Sequence, residues 1–146
     1  MDNPNLPKVV EIPPNMRKHL GTGTMLVPSP REVDAVIRTV RKGTATTVSQ
    51  IRRFLAGKYS VNVTCPLTTG IFIRIAAEAA EEDARQGKAR ITPYWRVIKD
   101  DGSLNPKFPG GVKQQAEKLR AEGHRILPAA GKRPPRVMIA AAMTAS

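Results

Sequence analysis

Apolar residues recur at intervals of three and four along most of this chain, so helices are the first elements the sequence predicts. Val33, Val36, Ile37 and Val40 share one helical face, with Ser29-Pro30 as a start and Gly43 as a stop. Thr46 to Ser49 offers an N-cap for a second, shorter helix. Its stripe is Ile51, Phe54 and Leu55, with Gln50, Arg52 and Arg53 turned elsewhere and Gly57 at its end. Pro66 opens a third helix, since a first turn tolerates proline, and the run Thr68 to Arg85, rich in alanine, glutamate and isoleucine, carries it towards Gly87. Val112, Ala116 and Leu119 mark a last helix closed by Gly123. Between the third and last helices the period changes. Alternation around Ile91, Pro93, Trp95 and Val97, followed by Asp100-Asp101-Gly102, predicts an extended segment and a hairpin-like wing.

The two ends follow no such period. Pro4, Pro7, Pro13, Pro14, Pro28 and Pro30 predict an irregular N-terminal arm over residues 1–28, in which Val9, Val10 and Ile12 either add a strand or drape over the domain. Residues 127–146 read as a basic, alanine-rich tail, a flexible arm containing Lys132, Arg133 and Arg136. Within it, Val137 to Ala142 either pairs as a short strand or lies on the domain. The domain proper is placed at residues 29–126. Its expected class is mainly α with a small β wing. Three helices followed by a turn-containing extended segment suit a winged helix-turn-helix, in which the second helix braces the third towards a DNA groove.

Charge adds a partner to this picture. A chain of 146 residues supports one modest core, and a formal charge of +12 with a pI near 10.6 calls for a polyanion. Arg38, Arg41, Lys42, Arg52, Arg53 and Lys58 occur with no acidic residue between them. Such a series can neutralise phosphates and hold a duplex in register without reading its sequence. No apolar run approaches the roughly 20 residues of a spanning helix, and Met1 to Pro14 lacks the apolar core of a signal peptide. A cytoplasmic location is expected, nucleoid-associated in a prokaryote, with no membrane partner. His19 and His124 show no ligand spacing with Cys65, so neither a metal nor a cofactor is expected. Cys65 itself precedes Pro66 at a helix start, where a thiolate is favoured and reactive; the other reading is a small buried or loop cysteine.

The segment Pro93-Tyr94-Trp95-Arg96-Val97-Ile98 is followed by Asp101-Gly102-Ser103-Leu104, Phe108-Pro109-Gly110-Gly111 and Glu122-Gly123. Together these resemble the active-site half of the O6-alkylguanine-DNA alkyltransferase family, where Pro-Cys-His-Arg-Val precedes a glycine turn, a Gly-Gly helix start and a Glu-Gly helix end. The resemblance covers residues 29–126. It implies a winged helix-turn-helix that enters the minor groove, flips a damaged guanine and moves the alkyl group to cysteine. In this chain Tyr94 stands at the cysteine and Trp95 at the histidine. A phenol with a pKa of roughly 10 is a poor alkyl acceptor, and an indole cannot take up a proton.

The resemblance therefore implies a non-enzymatic protein of the alkyltransferase-like type, with no catalytic residue. Such a protein binds alkylated guanine in double-stranded DNA and passes the lesion to nucleotide excision repair. A monomer is expected. The usual alkyltransferase-like replacement is tryptophan followed by a retained histidine, and here tyrosine precedes tryptophan. The implied lesion pocket contains Tyr94, Trp95, Arg96, Phe108, Gly110, Gly111 and Glu122. Glu122 takes the place of the carboxylate that orients the family's histidine. The DNA-binding set is Arg38, Arg41, Lys42, Ser49, Arg52, Arg53, Lys58, Thr68, Thr69 and Arg74. The arginine that the family inserts into the base stack falls at Gly70, with Arg74 one turn later, and its phosphate-rotating tyrosine falls at Val48. Two alternatives stand beside this reading: a winged-helix transcriptional or nucleoid-associated factor without lesion specificity, and residual alkyl transfer with Cys65 as a displaced acceptor.

Overall fold

The prolines at the start of the chain punctuate regular structure rather than preventing it. In the computed structural model, which describes residues 4–138, Lys8–Glu11 (β1) pairs antiparallel with Thr24–Val27 (β2), placing Val10 opposite Met25. β2 in turn runs parallel to Val63–Thr64 (β4), so a three-stranded sheet ties the start of the chain to its middle. A 3-10 turn at Pro14–Met16 and a short helix, Arg17–Leu20 (α1), fill the connection between β1 and β2. Ile12, Met25 and Cys65 bury their side chains together beneath. The expected irregular arm over residues 1–28 is thus corrected from residue 8 onward, and of the two readings of Val9, Val10 and Ile12 the added strand is the one the structure takes, with Ile12 just past its end. Met25 and Leu26 supply the driving force, since burying such side chains contributes roughly 1.5–3 kcal/mol each.

Three helices follow, close to their expected positions. In Pro30–Arg38 (α2), Ser29 caps the first turn by accepting the Glu32 N–H at 3.2 Å, and Val33 and Ile37 enter the core. Val48–Tyr59 (α3) starts from a capping box in which Thr47 accepts the Gln50 N–H and the Gln50 side chain accepts the Thr47 N–H. It runs two residues beyond Gly57 and stops where Ser60 adopts a left-handed conformation, φ 54°. Pro66–Arg85 (α4) buries Thr69, Ile73, Ala76, Ala77 and Ala80, and its small alanines let α2 pack closely against it. No described helix is long and apolar enough to cross a membrane.

The stretch read as extended is mostly not a strand. Tyr94–Arg96 forms a 3-10 turn, and only Val97–Ile98 (β5) is extended. β5 pairs in parallel with Thr46–Thr47 (β3), aligning Thr46 with Val97. A parallel mate cannot be reached by a tight turn, so β5 finds its strand partner across a crossed connection, and the hairpin-like element expected after it is confined to the turn at residues 99–103. The Asp100-Asp101-Gly102 turn does form: Lys99 donates to the Ser103 carbonyl at 2.9 Å, and Gly102 to that of Lys99 at 2.8 Å. After Gly111–Ala121 (α5), Ile126–Leu127 (β6) pairs antiparallel with Arg136–Val137 (β7). Val137 joins Ala45, Ile98, Leu104, Ala116 and Leu119 in a second core cluster. The flexible-tail expectation is corrected to that point, and the remainder of Val137 to Ala142 beyond residue 138 lies outside the described residues.

Candidate nucleic-acid interface

Tyr94, which the sequence resemblance sets where a nucleophile is expected, is fully buried. Its ring meets Trp95 and Phe108 edge-on, each with centroids 5.3 Å away, and Phe108 is buried too. The phenol O–H donates to Glu81 of α4, and Gln114 of α5 donates to Glu81 at 3.1 Å and to the phenol oxygen at 3.3 Å. Burial and the adjacent Glu81 carboxylate push the phenol above its ordinary value of 10.0. A group held protonated in the core and aimed at a carboxylate is neither a nucleophile nor the wall of an open cavity. Tyr94 and Phe108 are therefore moved from the expected lesion pocket to the hydrophobic core. Tyr94→Phe is expected to retain the fold and cost about 1–3 kcal/mol in urea unfolding, because Glu81 loses a buried donor. The sign with pH follows. A raised phenol contributes stability fully below pH 10.0 and loses it as pH rises, so the variant should lack that alkaline component.

Arg96 and Glu122 are also absent from any open wall, because they hold each other. The guanidinium grips the carboxylate from Nε at 3.0 Å and Nη2 at 2.6 Å, and Nη1 donates to the Val40 carbonyl at 2.7 Å. Side-chain exposure is 13% for Arg96 and 7% for Glu122. Burial opposes the ionised Glu122, yet the Arg96 hydrogen bonds outweigh it and hold the carboxyl below its usual range. The nearby Trp95 N–H, without a hydrogen-bond partner of normal geometry among the described residues, acts in the same direction. Glu122 thus fastens Arg96 instead of orienting a base at residue 95. Trp95 is half-buried, with Lys118 Nζ over its ring at 4.7 Å and the Arg96 guanidinium at 5.6 Å. Gly110 and Gly111 open α5 with φ of 77° and 68°. A Cβ on Gly110 would meet the Gln114 side chain at 2.2 Å, so glycine lets α5 start against its own first turn.

The expected DNA-binding residues divide. Arg41, Lys42 and Arg53 are exposed. Arg38 pairs with Asp34 at 2.8 Å and Lys58 with Glu32 at 3.3 Å, both at the surface where such pairs are weak and exchangeable. Arg52 donates from Nε to the Thr64 carbonyl at 3.0 Å, bracing α3 on β4. Ser49 gives its N–H and its hydroxyl to Asp100, which occupies the start of α3. Thr68 donates to the Cys65 sulfur at 3.3 Å. Thr69 is removed from the interface altogether, since it is fully buried and donates to the Cys65 carbonyl at 2.7 Å. Cys65 is buried beneath the N-terminal sheet, away from solvent.

Ser49, Arg52 and Arg53 line one small cleft with Asn62 and Thr64, and a wider groove lies beside α4. The outward stripe of α4, Leu67, Gly70, Ile71 and Arg74, forms one wall of a groove of about 360 Å³. Lys99, Asn105, Pro106 and Lys107 form the other. Arg74, Lys99 and Lys107 are exposed around it, and Arg74 pairs with Glu78 at 3.6 Å. The opposite wall is fixed from below by Gln115, a buried side chain of α5. Its amide nitrogen donates to the Trp95 and Val97 carbonyls, and its oxygen accepts the Asn105 N–H at 2.8 Å.

The fold has a counterpart among solved structures. The crystal structure of S. pombe Atl1 in complex with damaged DNA containing O6-carboxymethylguanine superimposes with a TM-score of 0.56 at 17% sequence identity. The match covers 79% of this chain and 93% of that one. The two proteins share a fold. No protein-family model and no curated protein sequence matches the chain. The likeness to Atl1 thus extends over most of both chains while few residues coincide, as expected when packing geometry is retained under extensive substitution.

Leu67, Ile71, Lys99 and Lys107 are among the groove residues that the sequence did not single out for binding, with Pro66, Asn105 and Pro106. Leu67 and Ile71 sit in a helix for which the sequence reading defined no buried or outward face. The signal available was their spacing: they fall four apart, with Gly70 and Arg74, off the buried face defined by Thr69, Ile73, Ala76 and Ala77.

Proposed function

We propose that this is a non-enzymatic DNA-binding protein of the alkyltransferase-like type, which recognises alkylated guanine or a deformed duplex and leaves the alkyl group in place. The observation that carries the reading is the open groove on α4, ringed by Arg74, Lys99 and Lys107. In this reading α3 and α4 act as the helix-turn-helix, residues 99–107 act as the wing, and Arg41, Lys42 and Arg53 add phosphate contacts. The shared fold with Atl1, a protein seen bound to damaged DNA, supports the same partner. The buried Tyr94 phenol, raised by desolvation and by Glu81, supports the absence of alkyl transfer. Handing the bound lesion to nucleotide excision repair is the downstream role that fits a binder without chemistry.

A second reading, a winged-helix factor binding duplex without lesion preference, is favoured by one observation. Tyr94 and Phe108 fill the core where the expected pocket would open. Titration against matched duplexes carrying guanine or O6-methylguanine at one salt concentration, followed by intact-protein mass, separates the two. Tighter binding to the modified duplex with unchanged mass is the expected result. Equal affinities would establish the second reading, and a gain of one methyl group would overturn the non-enzymatic assignment.

A further inference from the structure

Leu67 is 70% exposed and Ile71 49% exposed, an uncommon arrangement for two large aliphatic side chains one turn apart on a single helix face. They are not loose surface residues of an isolated helix, because the opposite face of α4 is fixed in the core by Thr69, Ile73, Ala76 and Ala77. Between them Gly70 has open space in the direction of a Cβ, so other atoms can approach the helix backbone there. Around this apolar pair stand Arg74 on the same helix and Lys99 and Lys107 across the groove. An occupant suited to both features has apolar faces and an anionic margin. A stack of base pairs edged by phosphates has that chemistry, and leucine and isoleucine are among the side chains that pry such stacks apart from the minor groove.

We propose that Leu67 and Ile71 form an apolar wedge that enters the duplex between base pairs. Gly70 leaves room for the displaced base against α4, and Arg74, Lys99 and Lys107 hold the flanking phosphates. The inference rests on the DNA-binding reading above and adds how the duplex is opened. Unstacking is unfavourable, and burial of the two aliphatic side chains together with the phosphate contacts offsets it. Arg74 acts here on phosphate, and the stack is parted by the aliphatic pair.

The test uses the full chain and a duplex with 2-aminopurine beside O6-methylguanine, since the fluorescence of 2-aminopurine rises on unstacking. The wild-type protein is expected to bind and raise the fluorescence. Leu67→Ala/Ile71→Ala, both at exposed positions, should still bind with an unchanged salt slope and lose most of the rise. Arg74→Ala should keep the rise and reduce the salt slope by about 0.9. A double variant that keeps the rise, or an Arg74→Ala variant that abolishes it, overturns the wedge. Binding by the wild type with no fluorescence change also overturns the wedge while leaving DNA binding intact. Failure to bind any duplex removes both. Should the double substitution only dissociate an oligomer, with fluorescence unaltered, the face is a protein contact and the proposal falls.

Discussion

Replacing Arg96 with alanine is expected to lower the free energy of unfolding by about 3–5 kcal/mol, because it leaves Glu122 buried without its counter-charge. The geometry makes this the costliest polar substitution available in the motif. One guanidinium joins the Glu122 carboxylate after α5 to the Val40 carbonyl after α2, while its own backbone leads into β5. Glu122→Gln should cost a similar amount by stranding the arginine. A double replacement by methionine and leucine should recover most of the loss, since packed apolar pairs substitute well for buried ion pairs. Chemical denaturation reads all three variants. The pH dependence has a definite sign. Glu122 is held below its ordinary value of 4.5, so its contribution is complete above that pH and fades as pH falls through the lower folded value. Arg96→Ala should flatten this acid limb.

Removing the three cations of the groove should produce the largest loss of binding. Arg74→Ala/Lys99→Ala/Lys107→Ala is expected to reduce the slope of log affinity against log salt by about 2.7 and to weaken duplex binding on the order of 100-fold near roughly 0.15 M salt. All three side chains are exposed, so the unfolding midpoint should stay close to wild type. Comparable loss on guanine and O6-methylguanine duplexes is the expected pattern, because phosphate contacts hold without reading the base. A triple variant with wild-type affinity would move the phosphate-binding surface elsewhere, with Arg41, Lys42 and Arg53 the next cations to replace.

The helices were readable because their signals are local. Ser29-Pro30, the Thr47 and Gln50 capping box and Pro66 set the starts of α2, α3 and α4, and periodic apolar residues set their buried faces. The N-terminal sheet was not readable in the same way. β1 and β2 are short, flanked by proline and glycine, and β2 is held by β4 some 38 residues further along. Nothing within a local window encodes that pairing. The same limit applies to β5, whose mate is β3 rather than a hairpin neighbour, and to Val137, whose burial depends on the β6–β7 pair.

Site residues were legible as a motif but not as a geometry. Tyr94, Phe108 and Glu122 occupy family-like positions in the sequence, yet Tyr94 turns to Glu81 and Glu122 closes on Arg96. Both partners lie far off in the chain, and ordinary surface carboxylates look identical in sequence. The absence of a cysteine at residue 94 is plain in the sequence. That its replacement would be absorbed into the core, leaving the open surface on α4 and residues 99–107, required packing information.

Amide hydrogen exchange of the full chain, with and without a duplex containing O6-methylguanine, tests the account at its centre. Protection on DNA addition is expected over residues 66–74 and 99–107, with β1 and β2 unchanged. Exchange that is unaltered in both groove segments while protection appears on the N-terminal sheet would contradict it.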